Sequence, residues 1–137
     1  MSRRSPAVFL VCVALLTGCG ARGKHSVCSN HDGALSNATF VFVESPRSGD
    51  RVSSGFEVSG CSSTFEGTVQ WLLADRSGRA LAHGSTQGGS MDAGPFSFTV
   101  AYPRAARQVG RLVVSGPRVT TEGFPPVTNL IPLVLDS

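Results

Sequence analysis

Residues 95 to 102 read PFSFTVAY, in which Phe96, Phe98, Val100 and Tyr102 alternate with Ser97, Thr99 and Ala101. A period of two puts the four large apolar groups on one face of an extended strand, whereas a helix would scatter them around its axis. Six other β-prone runs share the chain with this one: 39–44 (TFVFVE), 51–60 (RVSSGFEVSG), 67–75 (GTVQWLLAD), 79–86 (RALAHGST), 110–116 (GRLVVSG) and 128–136 (TNLIPLVLD). Turn residues separate them. Ser45-Pro46 ends the first run, Gly55 interrupts the second, and Asp75-Arg76-Ser77-Gly78 leads from the third to the fourth. Pro132 lacks a backbone donor, so the last strand is expected at an edge or with a bulge.

Seven short strands in about 100 residues, with Trp71 on the third, predict an all-β fold, an immunoglobulin-like β-sandwich of about seven strands. Val69 and Leu73 share the face of Trp71, which assigns the indole to the core. The 16 glycines and 8 prolines favour turns over long helices, and 137 residues have room for one domain.

The first residues, MSRRSPAVFLVCVALLTGCG, do not belong to that domain. Arg3 and Arg4 precede an apolar run from Ala7 to Leu16, which is half the ~20 residues a membrane span needs. Leu16-Thr17-Gly18-Cys19 then resembles the lipobox of bacterial lipoproteins, in which the cysteine thiol takes a diacylglycerol and becomes the mature N-terminus. The expected organisation is a lipoprotein signal peptide at 1–18, a flexible tether at 19–37 rich in Gly, Ser and Asn, and the sandwich at 38–137. Two or more acyl chains such as palmitate anchor stably, so the membrane is the first expected partner, bound through the lipid on Cys19. The expected location is extracytoplasmic, at the bacterial cell membrane.

Cys12 lies in the removed segment and Cys19 carries the lipid, so Cys28 and Cys61 remain to form a disulfide in an oxidising compartment. The competing reading is a zinc site from His25, Cys28, His31 and Asp32, but no second ligand cluster accompanies them and no metal is expected. Residues 1 to 18 hold two of the twelve basic residues and none of the nine acidic ones, which leaves a net charge of about +1. That excludes the concentrated basic face of a nucleic-acid binder.

The stretches VESPRSGDRVSSGFEVSGCSSTFEGTVQWLLAD, PFSFTV and GRLVVSG together resemble the immunoglobulin-like domain of bacterial spore germination, over roughly residues 39 to 135. The most specific pieces are Ser45-Pro46 with Gly49 and Val52, then Val58-Ser59-Gly60, then Phe65-Glu66-Gly67-Thr68-Val69, and Pro95-Phe96; Gly55 stands where a proline is common. The resemblance implies an exported or lipid-anchored domain with no established activity.

Glu66 is the acidic residue that most invites a catalytic reading. General acid–base chemistry needs a partner group held nearby, and the neighbouring sequence supplies none. Glu66 is therefore expected to act as a structural brace before Gly67, its carboxylate accepting backbone N–H groups at the turn, with Phe65 as a core plug beside it. The motifs G-x-S-x-G, S-x-x-K, H-E-x-x-H and the P-loop do not occur, so no enzyme activity and no cofactor are expected. The glycine-rich stretch 83–94 precedes a strand, which denies it the helix N-terminus of a phosphate site. Arg104, Arg107 and Arg111 form a possible binding loop for anionic envelope polymers. The sequence thus points to a non-catalytic lipoprotein whose sandwich binds an envelope protein or glycan. The alternative is a structural accessory subunit of an envelope or germination-related complex.

Overall fold

The computed structural model describes residues 28–30, 32–118 and 126–137. Eight strands form along the chain: β1 (Phe40–Ser45), β2 (Arg51–Val52), β3 (Phe56–Ser63), β4 (Thr68–Asp75), β5 (Ala80–Gln87), β6 (Gly94–Val100), β7 (Gln108–Ser115) and β8 (Thr128–Leu135). They make a three-stranded sheet ordered β1-β3-β6 and a five-stranded sheet ordered β2-β8-β7-β4-β5. This is an all-β immunoglobulin-like sandwich. The eighth strand arises because Gly55, at φ 93°, splits the 51–60 run: β2 joins one sheet and β3 the other.

Alternation along each strand builds the core. Val58 and Val100 from the three-stranded sheet meet Val69, Leu73, Leu112, Val114 and Leu133 from the other, all essentially without solvent contact. Phe96 and Tyr102 join them and Phe98 packs alongside, as the period of two predicted. Trp71 is partly buried against the same cluster. Tyr102 also ties two distant segments, because its hydroxyl lies 2.9 Å from both the Val52 and the Asp136 carbonyl oxygens. One proton serves both acceptors.

Pro132 pairs with Arg111 of β7 on one side, while on the other side β2 covers β8 only at Val134 and Leu135. The proline therefore sits beyond the two-residue cover, where no ladder needs its missing N–H. Its carbonyl is used, accepting the Gly49 N–H at 2.8 Å. The strand is thus one short pairing in from the edge of its sheet.

Cys28 and Cys61 form the expected disulfide. Gly60 faces inward against Phe96, so Cys61 points outward, on the side shared with Phe42 and Pro95, its partners in the ladder. The cystine therefore lies on the outer face of the three-stranded sheet. His25, His31 and Cys19 lie outside the described residues. Among those described, no helix is long and apolar enough to cross a membrane.

Candidate functional site

Three connections meet at one end of the sandwich: β3–β4 through Thr64–Gly67, β5–β6 through residues 88–93, and the start of β7–β8 at Gly116. The backbone holds the first two together. The Gly88 N–H donates to the Gly67 carbonyl at 2.8 Å and the Thr64 N–H to the Gly89 carbonyl at 3.0 Å. Gly116 packs on Thr64 and Val127, bringing the third connection alongside. Gly88 lies directly over Ser62, whose buried Oγ has no hydrogen-bond partner among the described residues. A side chain at position 88 would collide with it, which is why glycine stands there.

Phe65–Gly67 makes a single 3-10 turn with Glu66 at φ 55° and Gly67 at φ 69°. The first value is left-handed, a conformation that costs a residue with a Cβ about 1 to 2 kcal/mol. The brace at this turn is Thr64, whose Oγ1 donates to the Thr68 carbonyl at 2.8 Å, with the Gly67 N–H closing onto the Thr64 carbonyl at 3.1 Å. Here the structure corrects the sequence expectation. Glu66 is exposed, and its carboxylate accepts no backbone N–H among the described residues. Phe65 is 61% exposed and plugs no core. The left-handed step at Glu66 reverses the chain so sharply that both side chains project off the end of the sandwich. Gly67 alone of the three is buried, against Gly88 and Ser90. Met91, 88% exposed, stands on the adjoining connection, followed by Asp92.

The arginines do not form one loop. Arg111 belongs to β7, on the outer face of the five-stranded sheet, with its guanidinium against the Gly78 turn. Arg107 pairs with Asp136 at 2.6 Å. Arg104 lies in the β6–β7 connection, at the end of the sandwich opposite Phe65. A strand of eight residues, about 25 Å, separates the two ends. Sequence proximity had grouped side chains that the β6–β7 connection and β7 direct to different surfaces.

The two shifted ionisable groups serve the frame. The Asp75 carboxyl is held below its usual range, chiefly by the Ser77 hydroxyl at 2.6 Å; the Ser77 and Arg79 N–H groups and the Arg79 guanidinium add to this, against a desolvation that acts the other way. Burial, and after it the Asp136 charge, pushes the Tyr102 hydroxyl up. Both groups anchor connections at the end away from Phe65. No group of three or more His, Cys, Asp or Glu suited to a metal occurs among the described residues, and Cys28 of the zinc reading is committed to its disulfide.

Sequence reasoning missed Thr64 and Met91. The signal for Met91 was present in its position, one residue past a Gly-Gly-Ser run, but which loop that run would meet depends on the strand pairing.

A two-sheet sandwich with this strand order defines the class of protein, an immunoglobulin-like domain. Residues 40–118 match the profile of the immunoglobulin-like domain of bacterial spore germination, and the chain belongs to that family. The match runs from β1 through β7; β8, which pairs with β7 over its whole length, lies beyond it. A search of curated proteins finds no match. Among solved structures, CopC from Methylosinus trichosporium OB3b is similar, with a TM-score of 0.45 and 14% identity, over 72% of this chain and 93% of that one.

Proposed function

We propose that this chain is a bacterial lipoprotein, anchored through Cys19 after loss of residues 1–18, whose sandwich binds an envelope protein or glycan without catalysis. The observation that carries the reading is the exposure of Phe65 on a turn fixed from below by Thr64 and Gly88. A large aromatic held in solvent on a rigid turn costs stability and gains nothing for the fold, whereas it supplies a preorganised anchor for a partner. Glu66, Met91 and Asp92, exposed on the same two connections, add one more apolar and two acidic side chains to this end of the sandwich. The cystine supports an extracytoplasmic location, since such bonds persist in oxidising compartments.

The expected tether of 19–37 becomes shorter in function, because the cystine pins Cys28 to β3. Nine peptide steps from Cys19 to Cys28 reach about 30 Å when extended. The domain would therefore work close to the bilayer.

A photoreactive amino acid placed at position 65, and separately at position 104, tests the reading in intact cells. A discrete adduct from position 65 that is absent from position 104, and that disappears with Glu66→Lys, is the expected result. Equal labelling from both ends would remove the loop end from consideration.

A further inference from the structure

Cys61 is the sixth of the eight residues of β3, two short of the Ser63 end that leads into Thr64 and Phe65. The cystine therefore fastens Cys28 near that end of the sandwich, away from the end that carries Arg104. The segment that follows is held at the same end, since it runs from Cys28 to Phe40, which pairs with Ser63. Asn30 folds it into a loop, its side-chain oxygen accepting the Leu35 N–H at 2.8 Å and its carbonyl the Gly33 N–H at 3.1 Å. Without the bond, the leash from Cys19 would run to Phe40 and reach roughly 70 Å when extended, against about 30 Å to Cys28. The cystine thus shortens the leash and moves its attachment to the end that bears Phe65 and Met91.

The charges at the two ends decide what this end can meet. On the connections at the Phe65 end the described charged residues are Asp32, Glu66 and Asp92 against Arg118, all exposed. At the opposite end Arg47, Arg76, Arg79, Arg104 and Arg107 outnumber Asp50, Asp75 and Asp136. The phosphates of an anionic bilayer therefore repel the end that the leash draws toward them, which leaves Phe65 and Met91 facing the membrane without entering it. A protein surface with Lys or Arg around an apolar pocket matches both the apolar side chains and the acids.

Given the lipid anchor on Cys19 and the contact through Phe65 proposed above, we propose that the cystine turns the Phe65 end toward the bilayer and that its partner is a protein embedded in the same membrane. The partner supplies an apolar socket for Phe65 with basic side chains about it. Confinement to one bilayer keeps the two surfaces at a high local concentration without any further contact. The arginine-bearing end points away from the lipid.

Lipidated protein in vesicles of phosphatidylethanolamine and phosphatidylglycerol, with a fluorescent amino acid at position 65 or 104 and an acceptor on the headgroups, reads the orientation. Energy transfer should be the more efficient from position 65. A Gly-Ser insert of about 30 residues after Gly20 keeps the cystine and should erase the difference, as should Cys28→Ser with Cys61→Ser. In cells, a photoreactive amino acid at position 65 captures the partner. Local concentration falls as about the −3/2 power of leash length, so the insert should lower the adduct yield roughly ninefold. With a specific protease site in the insert, the adduct should stay in carbonate-washed membranes after cutting. Equal or greater transfer from position 104, an undiminished yield, or release of the adduct by cutting overturns the proposal and leaves binding through Phe65 standing. A phospholipid joined to position 65, or no discrete adduct there, overturns both.

Discussion

Trp71 and Phe98 stack across the interior of the sandwich, their ring centroids 4.9 Å apart and their planes 6° from parallel. The pair joins β4 of one sheet to β6 of the other, and Phe98 continues the stack to Phe96 at 6.1 Å. Gly84 lies opposite Trp71 in the β4–β5 ladder, and a Cβ there would come within 2.7 Å of the indole.

Gly84→Ala is accordingly expected to destabilise the domain by about 1 to 3 kcal/mol, the usual cost of overpacking. Elsewhere in a strand the same change would be stabilising. Denaturant melts followed by tryptophan fluorescence check this, and a shifted emission maximum in the native state would register the displaced indole.

Cys28→Ser with Cys61→Ser should lower stability by about 3 to 4 kcal/mol, from the loop of 33 residues that the bond closes. Mass spectrometry without reductant should recover the linked peptide pair from the native protein. Cys19→Ala should abolish incorporation of a fatty-acid analogue while leaving that pair intact.

Glu66→Gln and Glu66→Ala should each change stability by less than about 0.5 kcal/mol, as exposed substitutions do. Glu66→Gly should be neutral or stabilising, because glycine adopts the left-handed step without strain. Thr64→Ala, by contrast, removes the hydroxyl that caps the Thr68 carbonyl and should cost about 1 to 2 kcal/mol. Urea midpoints of the four variants place the brace on one residue or the other.

The acid and alkaline limbs of stability should have separate owners. The Asp75 carboxyl titrates below its ordinary 3.8, so its stabilising contribution is present above that pH and is lost as pH falls through the lowered folded value. Asp75→Asn should flatten the acid limb of a plot of melting temperature against pH. The Tyr102 hydroxyl titrates above its ordinary 10.0, so its contribution is complete below that pH and disappears as pH rises through the raised folded value. Tyr102→Phe should cost about 1 to 2 kcal/mol at neutral pH, from the hydrogen bond shared by Val52 and Asp136, and should flatten the alkaline limb.

What the sequence alone determined is what depends on neighbours along the chain. The period of two in PFSFTVAY settles which side chains of β6 turn inward, because a strand alternates whatever it pairs with. The break at Gly55 and the turn at Asp75–Gly78 were legible for the same reason, as was the pairing of Cys28 with Cys61, the two thiols left after the other cysteines are assigned. Only tertiary structure could decide the fate of Glu66. Whether a turn uses a carboxylate depends on which backbone groups its neighbours take, and at Thr64–Gly67 it is Gly88 and Gly89, brought in by the β4–β5 hairpin, that bond the Gly67 carbonyl and the Thr64 N–H. The same holds for β2, which pairs with residues 134 and 135 from the far end of the chain. The three arginines diverge because β7 rotates Arg111 onto a sheet face while Asp136, delivered by β8, captures Arg107. Likewise Phe65 and Met91 come to one end of the sandwich only once strand pairing brings the β3–β4 and β5–β6 connections together, since a meeting of two loops has no counterpart along either of them.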